Sequence, residues 1–201
     1  MHTKDFWTER GSEHVIPKGF GEFPEGFDVV DLVKNLADEV GYKSVIDFGC
    51  GYGRLCKSFD PTKYTGIDVN PNLVDEAKKR FQNYNFSICK GEVMGAELYL
   101  AHKVFMHMAD KEIHEALSRF RMKWIIVSEI LGREWRREGE PPQLNRDLND
   151  YIQIFRSHDL VLHKHVRKPY KRYEDIPWYQ GKNTDISFLV FRKCLKNPLY
   201  N

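Results

Sequence analysis

Residues 45–54 constrain the fold of this chain more than any other stretch. They read Val45-Ile46-Asp47-Phe48-Gly49-Cys50-Gly51-Tyr52-Gly53-Arg54, a β-branched run that breaks into alternating glycines. Glycines at every second position let the backbone turn through left-handed conformations and approach a ligand closely. A strand running into a ligand-facing loop is therefore predicted here. Two common nucleotide loops are excluded. The nicotinamide-dinucleotide pattern G-x-G-x-x-G fails in both registers, because its third glycine falls on Arg54 or on Cys56. A phosphate loop of the form G-x-x-x-x-G-K-[ST] occurs nowhere in the sequence. What remains is Asp-x-Gly-x-Gly-x-Gly, with a carboxylate inside the strand end.

Around this loop, helical and strand periodicities alternate. A helix is predicted to start at Asp28 as N-cap, with Val29, Val33, Leu36 and Val40 on one face and Gly41 as C-terminal cap. Ser44–Phe48 reads as a first strand and Tyr64–Asp68 as a second. Asn70-Pro71 then opens a helix whose buried stripe is Val74, Ala77 and Phe81. Further strands are predicted over Asn85–Lys90 and Lys103–His107. A helix follows from Asp110, taken as its N-cap, with Ile113, Leu117 and Phe120 inward. Ile125–Leu131 is the most apolar strand. Pro141-Pro142-Gln143 reads as a helix-start turn, before a helix carrying Leu144, Leu148, Tyr151 and Phe155. Leu160–Val166 and Ile186–Arg192 close the chain as strands with no helix between them. The expected fold is α/β: a doubly wound, mostly parallel seven-stranded sheet with helices on both faces and a C-terminal antiparallel strand pair. One domain over 1–201 is expected. It divides into an irregular lead-in (1–27), a ligand-binding half (28–131) and an acceptor-side half (132–201) with a basic aromatic loop at 167–184.

Composition bounds the function classes. The 201 residues include 31 Lys and Arg against 29 Asp and Glu, and 41% are hydrophobic. Such a chain can bury roughly 70% of its unfolded surface, enough for one full core. A net charge of +2 excludes a uniformly basic nucleic-acid coat. Cys50, Cys56, Cys89 and Cys194 are scattered and read as free thiols. No apolar run is long enough for a bilayer, and Met1–Trp7 lacks a signal-type apolar stretch, so the expected location is cytoplasmic and no membrane partner is expected. His163 and His165 share a strand face without a third ligand at nearby spacing, so no metal site is expected.

The glycine run resembles motif I of the class I S-adenosylmethionine-dependent methyltransferases, and three later segments extend the likeness in order. Asp68, in Gly66-Ile67-Asp68-Val69-Asn70, matches the acidic residue that in this family holds both ribose hydroxyls. A carboxylate can accept from two vicinal hydroxyls at once. Gly91-Glu92-Val93 is similar to the family's Gly-Asp-Ala/Val turn, where Glu92 accepts from the adenine amine and the Val93 backbone donates to the ring. His107-Met108, at the predicted fourth strand end, occupies the place where the methyl group is presented. The resemblance implies S-adenosylmethionine as cofactor and S-adenosylhomocysteine as product. The implied binding residues are Asp47, Gly49, Cys50, Gly51, Gly53, Asp68, Val69, Glu92, Val93, His107 and Met108.

Methyl transfer from a sulfonium needs alignment and exclusion of water, and a base only where the acceptor must lose a proton. His107 is the candidate base; a structural role at the strand end is the alternative. Glu129 either faces the cleft or pairs with an arginine. Trp7 and Arg10 are placed over the site, with Arg10 on the cofactor carboxylate. The Asn/Asp-Pro-Pro-Tyr/Phe motif of amino-methylating nucleic-acid enzymes is replaced by His107-Met108-Ala109-Asp110, and no cysteine follows a proline. Basic residues interleaved with Tyr170, Tyr173, Trp178 and Tyr179, and a second run at Arg133, Trp135, Arg136 and Arg137, suit an anionic or aromatic small-molecule acceptor. The same residues also suit nucleic acid. A non-catalytic binding module is the third reading, and the sequence leaves the oligomeric state open.

Overall fold

Strand β1 (Val45–Phe48) is buried along its whole length. Its one polar side chain, Asp47, accepts a 2.6 Å hydrogen bond from the Tyr64 hydroxyl. The computed structural model describes residues 3–9, 28–133, 142–169 and 185–194. Its other strands are β2 (Tyr64–Asp68), β3 (Asn85–Ile88), β4 (Met94–Gly95), β5 (Leu98–His102), β6 (Phe120–Arg121), β7 (Trp124–Leu131), β8 (Leu160–Pro169) and β9 (Asp185–Lys193). Seven of them form one sheet in the order β3-β2-β1-β5-β7-β9-β8, while β4 and β6 pair separately. The pairs from β3 across to β7 are parallel. β9 runs antiparallel to both β7 and β8. This is the doubly wound, mostly parallel fold with a closing antiparallel pair that the sequence predicts.

The helices are α1 (Thr3–Glu9), α2 (Val29–Val40), α3 (Pro71–Arg80), α4 (Asp110–Arg119) and α5 (Leu148–Arg156). Val33, Leu36 and Ala37 of α2, with Val74 and Ala77 of α3, cover one sheet face. Ile113 and Leu117 of α4, with Tyr151, Ile154 and Phe155 of α5, cover the other. Local chemistry fixes the ends. Asp28 caps α2 by accepting from the Val30 N–H at 2.7 Å, and Gly41 closes it in a left-handed conformation. Asn70 accepts from the N–H groups of Asn72 and Leu73 ahead of Pro71.

Several boundaries differ from the sequence reading. The fourth strand of the main sheet is Leu98–His102, not Lys103–His107, because Lys103 adopts φ +57, which no strand accommodates. Residues 105–107 form a 3-10 turn instead. Residues 3–9 of the expected irregular lead-in are helical, and Phe6 is only 1% exposed. Ala109 takes the N-cap position of α4, where Glu112 reaches back to its N–H at 2.7 Å, and Asp110 instead binds Arg146. Phe120 lies in β6, beyond the helix. β3 stops at Ile88. α5 begins after Asp147, whose carboxylate accepts from the Asp150 N–H, so Leu144 and Pro142-Gln143 precede the helix. His163 falls at a register shift between Leu162 and Lys164 and packs on Trp124, whereas His165 bonds Ser187.

Candidate active site at the strand carboxyl ends

In an open α/β sheet, ligands bind outside the strand carboxyl ends, where the strand order reverses. That point lies between β1 and β5. The glycine loop leaves β1 there. Gly49, Gly51 and Gly53 have φ of +72, +54 and +80. A Cβ on Gly49 would stand 2.5 Å from Val104, and one on Gly53 would stand 2.9 Å from the Phe86 ring. The glycines therefore serve both the turn and the close packing. Cys50 is buried, and burial pushes its thiol well above the ordinary range, so its side chain offers no thiolate.

Asp68, at the end of β2, pins this loop. One carboxylate oxygen accepts from the Gly51 N–H and the other from the Asn70 N–H, both at 2.9 Å. Each oxygen retains a further acceptor position. Burial raises the Asp68 pKa, opposed by backbone N–H groups that include that of half-buried Val69. Burial lifts Asp47 to about 7, with the Tyr64 hydroxyl opposing and the Asp68 charge adding to the rise. Beyond β3, Gly91 turns at φ +85 and Glu92 accepts from the Lys90 N–H at 3.0 Å. Val93 is 60% exposed on this rim.

The other wall is the segment after β5. His107 Nδ1 lies 2.6 Å from the Pro142 carbonyl, an acceptor only, so Nδ1 carries the proton and Nε2 is the basic nitrogen. The Trp7 ring packs on the His107 ring at 4.7 Å, and Asn70 donates to the Trp7 carbonyl at 2.8 Å. Helix α1 thus bridges the β2 end and the His107 turn, as the sequence reading placed Trp7. Met108 is half-buried beside it, its carbonyl accepting from Arg146 at 2.6 Å.

Glu129 does not face the cleft. It lies beneath this segment, 0% exposed, accepting from the N–H groups of Val104 at 3.1 Å and Phe105 at 2.8 Å. Burial lifts its pKa to about 8 against those N–H groups and the Arg146 charge. Arg146 is 5% exposed and joins Asp110 to the Phe105 and Met108 carbonyls. Neither Arg146 nor His102 stands out in the sequence reading. His102 is hidden by the misplaced strand boundary, although a polar residue ending the apolar run Leu98-Tyr99-Leu100-Ala101 marks it. Arg10, Trp135, Arg136, Arg137 and the aromatic residues of the 167–184 loop lie outside the described residues.

Comparisons with known proteins agree with this geometry. A family model described as a methyltransferase domain matches residues 45–122. A candidate methyltransferase of Mycobacterium tuberculosis, Rv1506c, is 44% identical over 54 residues, which are 25% of this chain and 31% of that protein. The matched segment thus spans under a third of that relative's length. Among solved structures, magnesium protoporphyrin IX methyltransferase from Synechocystis PCC 6803 with bound S-adenosylmethionine superposes with a TM-score of 0.66 at 16% identity, covering 96% of this chain and 98% of that one. The [4+2]-cyclase SpnF gives 0.67 at 14% identity over 88% and 86%. Mitomycin 7-O-methyltransferase MmcR gives 0.62 at 15% over 82% and 53%. At these identities the likeness concerns the fold. The residues matched by the methyltransferase-domain model span the glycine loop, Asp68 and the His107 turn.

Proposed function

We propose that the protein transfers a methyl group from S-adenosylmethionine, by direct in-line displacement, to an oxygen or nitrogen nucleophile of a small anionic or aromatic molecule, with S-adenosylhomocysteine as product. The observation that supports this reading is an Asp68-pinned glycine loop joined, through Asn70 and Trp7, to a His107 ring whose Nδ1 is held by the Pro142 carbonyl. The donor set fits the cofactor. Gly49, Cys50, Gly51 and Gly53 offer backbone without bulk, and Asp68 keeps lone pairs for vicinal hydroxyls. Asp47 organises the loop, Val69 and Met108 flank the pocket, and Glu92 and Val93 form the adenine rim. Bound S-adenosylmethionine supplies a methyl group already activated on sulfur. The chain then has to align the acceptor, exclude water and, where needed, take a proton at His107 Nε2. Trp7 covers the His107 ring and helps keep water out.

A specific observation favours a small acceptor over nucleic acid. Three described basic residues in or beside the two candidate loops already face acids: Arg133 meets Asp147 and Asp150, Arg167 meets Asp185, and Lys164 meets Glu39. Such cations carry less attraction for a polyanion. The test supplies methyl-labelled S-adenosylmethionine to the protein with separated RNA, DNA, protein and metabolite fractions. Label in the metabolite fraction supports the proposal. Label in RNA transfers it to a nucleic-acid acceptor, and cofactor binding without label in any fraction favours a non-catalytic module.

A further inference from the structure

The turn that carries His107 is gripped by one short strap, residues 142–146. The Phe105 carbonyl accepts from Arg146 Nη1 at 2.9 Å, the Met106 carbonyl from the Leu144 N–H at 2.8 Å, and the Met108 carbonyl from Arg146 Nη2 at 2.6 Å. In the other direction, His107 Nδ1 donates to the Pro142 carbonyl at 2.6 Å. Pro142, Leu144 and Arg146 are alternate residues, so one side of the strap supplies every one of these bonds. The strap is tied to the sheet in turn, because the Gly132 N–H, just past β7, donates to the Arg146 carbonyl at 2.9 Å.

Arg146 joins these contacts into a clamp. Its side chain is only 5% exposed, and a buried guanidinium has to place its donors on acceptors. Nε and Nη2 donate to Asp110 Oδ1 at 2.9 and 2.6 Å, and the two terminal nitrogens also take the carbonyls on either side of His107. The planar fork has fixed donor spacing, so it holds Phe105 and Met108 relative to one another as well as to the strap. Tyr151 of α5 packs against the guanidinium, its ring centroid 5.9 Å from Cζ. From β7, Glu129 holds the N–H groups of Val104 and Phe105. The chain leading into His107 is therefore held through its N–H groups by β7 and through its carbonyls by Arg146.

We propose that Arg146 is a positioning residue for His107. By locking the strap to the turn it keeps the Pro142 carbonyl on Nδ1, which fixes the ring and leaves Nε2 as the basic nitrogen. The use of that nitrogen as a proton acceptor rests on the methyl-transfer reading above. Arg146 acts through the turn and touches no reacting atom.

The test is nitrogen-15 NMR of the histidine rings in the whole protein, which reports which nitrogen of the neutral His107 ring carries the proton. The parent is expected to show the Nδ1–H form. R146M removes the fork and is expected to lose Nδ1–H as the main form. R146K keeps the charge, but three donors on one nitrogen cannot span Phe105, Met108 and Asp110, so it is expected to shift with R146M. D110A removes the outer anchor at an exposed side chain and is expected to shift part of the way. V33A weakens the core at α2, away from the turn, and is expected to keep the parent's tautomer. Should R146M fail to fold, R146K and D110A decide. An unchanged tautomer in both overturns the proposal, and so does a parent-like R146K, which would make the charge and not the fork the cause. A V33A protein that shifts as far as R146K also overturns it, in favour of general destabilisation. The tautomer is read on the protein alone, so its outcome is separate from the labelled-cofactor experiment that decides the methyl-transfer reading.

Discussion

Asp68 ties the glycine loop to the end of β2, because one carboxylate accepts from both the Gly51 and the Asn70 N–H groups. Replacing Asp68 by Ala is expected to weaken S-adenosylhomocysteine binding by about 1.5–3 kcal/mol, read as the calorimetric dissociation constant. Asp68→Asn keeps one acceptor oxygen and should fall between parent and Ala; an unchanged constant in both variants removes the ribose role. Glu129 makes a different prediction. Burial raises its folded pKa to about 8, against an ordinary 4.5. Between those values the folded protein holds more protons than the unfolded chain, so this contribution to stability is full below about pH 4.5 and is lost as pH rises through about 8. Asp47, lifted to about 7, acts in the same direction. Urea unfolding should therefore show stability falling from pH 5 to 8, and Glu129→Gln should flatten much of that fall. A variant with the parent's slope would contradict the buried, proton-holding carboxyl.

Among the elements, the turn after β1 is the least tolerant. Gly49→Ala places a Cβ at positive φ and 2.5 Å from Val104, and should cost ~2–4 kcal/mol of stability, seen as a lowered denaturant midpoint. Gly41→Ala is the control, since nothing lies within 4 Å of a Cβ there and backbone strain alone remains. The legibility of the elements follows the same physics. β1, β2, β7 and the closing pair are readable because their residues are apolar on both faces or bounded by glycine and proline. α2 and α3 are readable from Asp28, Asn70-Pro71 and Gly41. The β5 boundary is not readable, because Val104, Phe105 and Met106 look like strand, and the bend at Lys103 is imposed from outside by Ser128 and Glu129. Helix α1 has too little internal periodicity to declare itself; Phe6 and Trp7 are held by tertiary contacts. The glycine-loop side of the strand ends is thus legible as a motif. The 105–108 segment depends on long-range partners such as Pro142 and Arg146, which no local pattern announces.

At the scale of the whole molecule, the sheet order turns separate motifs into one site. Asp68, the glycine loop and His102 lie on adjacent strand ends because β2, β1 and β5 are neighbours in space. The +2 net charge is a cancellation of acidic and basic segments, and the described ion pairs show part of it directly, with Glu39 near the end of α2 meeting Lys164 of β8. The fold alone does not dictate the reaction, since the similar structure of SpnF is that of a cyclase. The cofactor is therefore the central claim. Calorimetric titration of the intact protein with S-adenosylhomocysteine and with NAD tests it most directly. The account predicts one saturable site per chain for S-adenosylhomocysteine and no heat of binding for NAD. Binding of NAD with no affinity for S-adenosylhomocysteine or S-adenosylmethionine would contradict it.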